Sequence, residues 1–520
     1  MTGQTQRNVI NNEKDDLKSA FEKGKIPSSV HYEKIIRTAA QAKYMVGQGS
    51  DQDGRPGAGL MLDSDNRLVV NAATTLAPDA EGVLKTKIDT NNGLQWVGNK
   101  IAVKPEQRLS VEWFKALARN TPEQLAALKE WLISAGEIKP AAVQLPAFPD
   151  ASEGTRNTSL GAVLALNHHG NVMVIGGEQA NECVYIVGYK NGQWEFMSTT
   201  STVIAGCTVA VNAQGTSVAI GFKNTMLNNH KGSVVFKMDE NDQDWKSFTV
   251  GHSTLGPEFG ASVAFNAAGD LAVIGAPAMT INGTATNAGA VFISRYTQAG
   301  WSIPTPQEAI TAPTPQASGF FGDTVALSYD GNVLIVGAPR YNNKRGRIYV
   351  LKLSEGHFIH TQMLEPGPAT LQPDDKFAES ISLSADGRVL AVSCAGENSN
   401  TGAVYIYRRE TIDVNFTLDT KLTGASGNLF GARVALSADS RYLMVSHPEA
   451  KIVGIPSGIV WWYGWDEEEK EWVENGELKM MPHAAVARFG QGMAISGNGN
   501  QVAVGSPNFN SGKGNVTLFE

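Results

Sequence analysis

From residue 160 onward the chain is written in short runs that alternate apolar and polar positions, each broken by a polar turn. The stretch FGDTVALSYDGNVLIVGAP, at 321–339, holds two such runs, and a third, GRIYVLKL, follows a variable segment. Its variants are FGASVAFNAAGDLAVIGAP, FAESISLSADGRVLAVSCA, FGARVALSADSRYLMVSHP and FGQGMAISGNGNQVAVGSP. The small residue heading each unit (Gly161, Gly206, Gly260, Gly322, Ala378, Gly431, Gly490) returns every 45 to 62 residues. A period of that size, with three or four strands per unit, predicts a mainly β fold built from four-stranded propeller blades, and seven units predict seven blades.

Each part of the unit has a mechanical reason. The turns NHHGN, NAAGD, SYDGN and SADGR put Gly, Asn or Asp where a hairpin needs positive φ. The runs LAVI, VLIV and VLAV are apolar throughout, as burial on both faces between neighbouring blades requires. Gly-Ala-Pro then ends the ladder and allows close backbone approach. Third strands such as GAVFIS, GRIYVL, GAVYIY and GIVWWY are β-branched and aromatic, so Trp461, Trp462, Tyr463 and Trp465 read as blade packing rather than as a sugar platform.

These units resemble the FG-GAP repeats of integrin-type β-propellers, with literal Phe-Gly at 259, 321, 430 and 489 and Gly-Ala-Pro at 275 and 337. Many members of that family carry an Asp-x-Asp-x-Asp-Gly calcium loop between the first two strands. Here that loop is cut to SADG or NAAG, too few carboxylates for the six to eight oxygens calcium takes. No metal and no cofactor are therefore expected. The seventh unit stops at Glu520 after its third strand, so AAVQLPAF, at 141–148, is expected to close the last blade and lock the ring.

The first 140 residues read differently. Residues 1–50 are predicted to form a helical attachment region, with DLKSAFEKG and SVHYEKIIRTAAQA as its two helices. Over 51–106 a β-rich shaft contains GLMLDSDNRLVVN and GLQWVGNKIAVKP, which bury little alone and so favour chains wrapped as a homotrimer. These segments resemble the shaft repeats of viral and phage tail fibres, and LKSAFEKGKIPS resembles an attachment module of tail-associated proteins. Asp51, Asp53, Asp63 and Asp65 read as solvated turn residues. At 107–140 a helical collar is predicted, with Thr121 and Gln124 as capping box, Pro122 at the first helical position and Gly136 at the end. The fold expected is thus a seven-bladed propeller head at 141–520 behind an amino-terminal trimeric β-shaft and short helices.

Charge and composition narrow the function. A net charge of −8 and 18% charged residues leave no basic stripe for nucleic acid. No run of 18 apolar residues could span a bilayer and no signal-peptide core opens the chain, so it is expected to be made in the cytosol without membrane insertion and to act outside the cell on a particle. Cys183, Cys207 and Cys394 are too few for a disulfide framework. No phosphate loop, nucleophile elbow or zinc helix occurs, so no catalytic residues are assigned. His168 and His169 read as exposed turn residues, and DEEEKEW at 466–472 as a solvated loop.

What varies between units is the loop after the second strand, and the loops should share one face. RYNNKRG is the best candidate: Arg340, Tyr341, Asn342, Asn343, Lys344 and Arg345 put an aromatic ring, two amides and three cations into one short loop of an acidic protein. The resemblance to tail fibres implies a receptor-binding protein of a phage tail or contractile injection particle. It would bind a baseplate or tail protein through its amino-terminal region and a cell-surface glycan or protein through the propeller. The alternatives are a stand-alone secreted lectin or adhesin, and a polysaccharide-cleaving head.

Overall fold

A computed structural model describes four short strands between 60 and 103, and residues 159–519 apart from 178–182, 191, 202–206, 228–229, 240–244, 252–254, 368–370, 425–428, 453, 468 and 481–486. The chain divides into two compact units, Met1–Lys139 and Pro140–Glu520. The expected attachment helices, the collar and the closing strand at 141–148 lie outside the described residues.

In the first unit both β-rich segments are antiparallel hairpins. Leu60–Leu62 pairs with Leu68–Val70. Leu94–Val97 pairs with Lys100–Val103, with Val97 opposite Lys100.

The second unit is a seven-bladed β-propeller. Six sheets have four strands and the seventh has three among the described residues, each an antiparallel meander. Blade four runs Thr324–Leu327, Val333–Ala338, Arg347–Ser354, His357–Leu364. The innermost strands are Val163–Leu166, Cys207–Val211, Ser262–Phe265, Thr324–Leu327, Ile381–Leu383, Val434–Leu436 and Met493–Ile495; each lies against the next, and the last against the first. Second strands such as Leu271–Ala276, Val333–Ala338 and Val389–Cys394 are buried along their whole length, as their unbroken apolar runs require. Their side chains fill the spaces between blades. Leu271, Val273 and Val291 of blade three meet Leu334, Val336 and Tyr349 of blade four, while Met173, Ile175 and Val187 of blade one meet Ala503, Val516 and Leu518 of blade seven.

The recurring Phe-Gly is the junction between blades. The Phe321, Phe377 and Phe489 rings are buried against Tyr349, Tyr405 and Phe519 of their own blade. Their backbone amides instead donate to the preceding blade, at Ala288, Arg345 and Ser457 O. The next residue, at φ 90° in Gly322 and 82° in Gly431, donates its amide back to the second strand of its own blade. Only Ala378 departs from glycine among the described members of this set, and it holds φ 76°. The second-strand glycine is needed for a different reason: a Cβ on Gly275 would stand 2.0 Å from Gly322 O of the next blade. Hydroxyls complete the junction, Thr208 Oγ1, Ser262 Oγ and Thr324 Oγ1 donating to Gly260, Gly322 and Ala378 O at 3.2, 2.8 and 3.0 Å.

Candidate ligand-binding face

Loops after the second strands fall into two kinds. In blades four, five and seven the chain makes one compact turn, Tyr341–Lys344, Glu397–Asn400 and Phe509–Gly512, in which Asn342-Asn343, Asn398-Ser399 and Asn510-Ser511 are left-handed. Asn tolerates that backbone better than most residues because its short side chain bonds locally. Each turn latches to the next blade: Lys376, Leu429 and Ser159 N donate to Lys344, Asn400 and Gly512 O at 2.7, 2.9 and 2.8 Å. In blade six the loop forms a small hairpin, Lys451–Ile452 with Ile455–Pro456. The blade-two hairpin extends through Leu227 and His230, and the blade-three loop closes through Ile281 and Ala285.

RYNNKRG is therefore a shared backbone carrying individual side chains. Arg340, Asn342, Asn343 and Lys344 are exposed, and Tyr341 and Arg345 half-buried. Arg340 stacks on the Phe320 ring at 4.0 Å. Tyr341 lies under the Arg347 guanidinium at 3.9 Å, which in turn makes two 3.1 Å hydrogen bonds to the Glu365 carboxylate. Lys344 Nζ donates to Asp374 Oδ1 at 2.6 Å. The six residues thus do come together on one rim, and part of their charge is balanced by neighbours.

In blade five the same turn puts Glu397 where blades four and seven put Tyr341 and Phe509. The buried carboxylate accepts from Tyr405 OH at 2.9 Å and from Lys421 Nζ at 2.5 Å. Opposite Tyr405 stands Lys421, where Met363 stands opposite Tyr349 in blade four.

At the other end of the propeller the turns between first and second strands are closed by their own side chains. Ser328 Oγ donates to Asp330 Oδ1 at 2.5 Å, and Asp330 accepts from Asn332 N at 3.0 Å. Burial would raise the Asp330 and Asp386 carboxyls, but the bonds from Ser328 and Asn332, and from Ser384 and Arg388, outweigh it and hold both below the usual carboxylate range. The carboxylates left in these shortened loops therefore do structural work as hydrogen-bond acceptors.

These turns also form a hoop of backbone hydrogen bonds. His168 N donates to Ala213 O, Ala213 N to Ala267 O, Ala267 N to Tyr329 O, Tyr329 N to Ala385 O, Ala385 N to Ala438 O and Ala438 N to Gly497 O; Asn498 N closes the circle on His168 O. Five of the seven positions are Ala or Gly. The two large ones, His168 and Tyr329, come from blades three apart, and their side chains meet at 3.3 Å between Nδ1 and OH, so they span the axis. Gly497 makes room, since a Cβ there would lie 2.2 Å from His168 Nδ1. Burial, then the neighbouring His169, lower the His168 pKa, and burial pushes Tyr329 up to about 12. His169 is exposed as expected, whereas His168 is half-buried and in contact across the bore. The signal was available: at the residue after Asn or Ser in each turn, only these two are bulky. Of the four aromatics on the third strand of blade six, Trp461, Tyr463 and Trp465 pack between blades, and Trp462 lies by Tyr442 at 6.2 Å.

No family model matches the chain. Among solved structures similar to it, a chain of a mitotic checkpoint complex is 12% identical with a TM-score of 0.44, over 69% of this chain and 86% of that one. A chain from Bacteroides uniformis named for 6-phosphogluconolactonase is 13% identical with a TM-score of 0.45, over 62% of this chain and 85% of that one. At these levels neither similarity carries an argument about activity, and what stands for this chain is a seven-bladed β-propeller preceded by two β-hairpins.

Proposed function

We propose that this is a receptor-binding protein of a phage tail or tail-like contractile particle, which attaches to a cell-surface glycan or protein through the loop face of its propeller and trimerises through its amino-terminal region. The observation that carries the binding role is the blade-four turn. Its backbone is also made by ENSN and FNSG, so Arg340, Tyr341, Lys344 and Arg345 are not demanded by the fold at those positions. A guanidinium stacked on an exposed rim can grip carboxylate or phosphate, and three such heads on one stem would multiply a weak contact by effective concentration. The Arg340→Ala, Lys344→Ala, Arg345→Ala variant should attach to target cells at least tenfold less than wild type at low salt, with an unchanged melting temperature. Undiminished attachment would move recognition to the longer loops of blades two, three and six. Light scattering of the intact chain tests the trimer, at three times 55.5 kDa.

A further inference from the structure

Two histidines lie in the apolar seams between blades. His360, on the outermost strand of blade four, donates from Nε2 at 2.8 Å to Thr311 O, on the segment that leads from blade three into blade four. That bond leaves Nδ1 as the bare nitrogen, and Nδ1 is shut off from solvent with no partner among the described residues. The ring stands against Phe321 and Tyr349, at 6.2 and 6.0 Å, in a seam filled by Val291, Ala312 and Leu351. His447 ends the second strand of blade six and is buried, its ring edge-on to Phe430 at 6.1 Å in a seam filled by Val404, Val445 and Leu422. Its Nε2 is likewise enclosed and without a partner among the described residues.

The fold needs an imidazole at neither place. Ala276, Ala338 and Cys394 end the second strands of blades three, four and five, as His447 ends that of blade six. The residue before the outer-strand bulge is His360 in blade four but Phe196, Leu418 and Glu474 in blades one, five and six. What the two rings add is a proton-binding nitrogen in a dry place. Facing His360, Tyr349 is a phenol whose pKa burial raises, Arg347 and Glu365 beyond it bond to each other, and Glu308 of the connecting segment bonds to Thr305. Around His447, Arg433 lies beside Ser446, Glu449 pairs with Arg488 at 3.1 Å, Lys451 is exposed, and the blade-five side is apolar. An imidazolium in either seam would hold a charged N–H with nothing to receive it. Burial lowers the pKa of both rings, and at His360 the Thr311 bond offsets this only in part.

We propose that these two seams are the acid trigger of the propeller: below about pH 6 each imidazole takes its proton only by leaving its seam, so blade four parts from blade three, and blade six from blade five, before the other junctions yield. Both rings are neutral in the closed seams and titrate near pH 6.5 once freed. Their contribution to stability is therefore full above about pH 6.5 and is lost as pH falls toward the lower folded value. The Asp330 and Asp386 carboxylates of the hairpin turns stay ionised over this range. The device does not depend on the receptor reading.

Urea unfolding at pH 7.5 and 5.5 would compare the intact chain with His447→Ala, His360→Gln, the double variant and His169→Gln. Alanine is what blades three and four carry, and glutamine can still donate to Thr311 O without titrating. A histidine that stays neutral when folded and titrates normally when unfolded raises the unfolding constant about tenfold between these pH values. The rise in wild type should therefore exceed that of each single variant about tenfold and that of the double variant about a hundredfold. His169→Gln, at an exposed position, should match wild type, and His168, whose pKa is also lowered, is common to all and cancels. A loss of stability equal at both pH values would mark a merely structural role and overturn the proposal, as would a double variant as acid-sensitive as wild type. Hydrogen exchange on the wild type decides without any variant: after correction for intrinsic rates, amides of 309–321, 357–364 and 429–447 should lose more protection at pH 5.5 than those of Val172–Gly176. An even loss around the ring overturns the placement at these seams.

Discussion

Ala378 carries in one residue the conflict between repeat and sequence. It holds the left-handed backbone that glycine supplies at 161, 260, 322, 431 and 490, and for an L-residue with a Cβ that conformation costs about 1 kcal/mol or more. Ala378→Gly is expected to raise stability by about 0.5–1 kcal/mol in denaturant unfolding, after the entropic cost of the added glycine. At the same scale the turn carboxylates set a pH dependence. Because the folded Asp386 carboxyl lies below its unfolded value, its contribution is present above about pH 4 and fades as pH falls through the folded pKa. Asp386→Asn should flatten the acid limb of the stability curve. Residues of this kind were legible from sequence because hairpin chemistry is local: SADG names its own turn. His168 and Tyr329 were not, since what distinguishes them is which blade they face, and periodicity says where a side chain starts but not what it meets across an axis.

At the level of the element, the left-handed turn explains why YNNK, ENSN and FNSG could not be seen as one structure. Their shared feature is two consecutive residues that tolerate positive φ, a backbone property that leaves little trace in hydrophobic pattern. Strands, by contrast, follow from alternation and unbroken apolar runs, and both hairpins of the first unit fall within the segments that a Gly-Leu pair opens. The blade-five turn offers a sharper test of how blades exchange solutions. Lys421→Met leaves Glu397 with one partner and should destabilise by about 1–3 kcal/mol, since a buried carboxylate loses its charge-assisted bond. Adding Glu397→Phe, the arrangement of blade seven, should recover most of that loss, because replacing both members of a buried pair with packed apolar groups is close to neutral. Thermal unfolding of the single and double variants measures the coupling directly.

For the whole molecule, the hoop at the turn end fastens each blade to the next, and the Phe amides entering blades four, five and seven and the latches of the compact loops of blades four, five and seven add to it. With the turn carboxylates satisfied by Ser and backbone donors, excess chelator should leave the melting temperature within about 1 °C, whereas a bound calcium would give a concentration-dependent shift. The count of seven was readable because the unit repeats; the Asn498–His168 contact was not, because it joins segments that look like any other turn. Bringing those two residues together confines some 330 residues of chain, at an entropic cost of about 5 kcal/mol on the logarithmic law for flexible loops. A linear stack of repeats pays nothing of the kind, but it frays from its extremities. A circle has no extremity. Backbone amides of Val172–Gly176 and Val502–Gly505, the second strands of the first and last blades, should therefore exchange with deuterium as slowly as those of Val333–Ala338 midway between them, and the propeller should lose its structure all at once rather than from its ends inward.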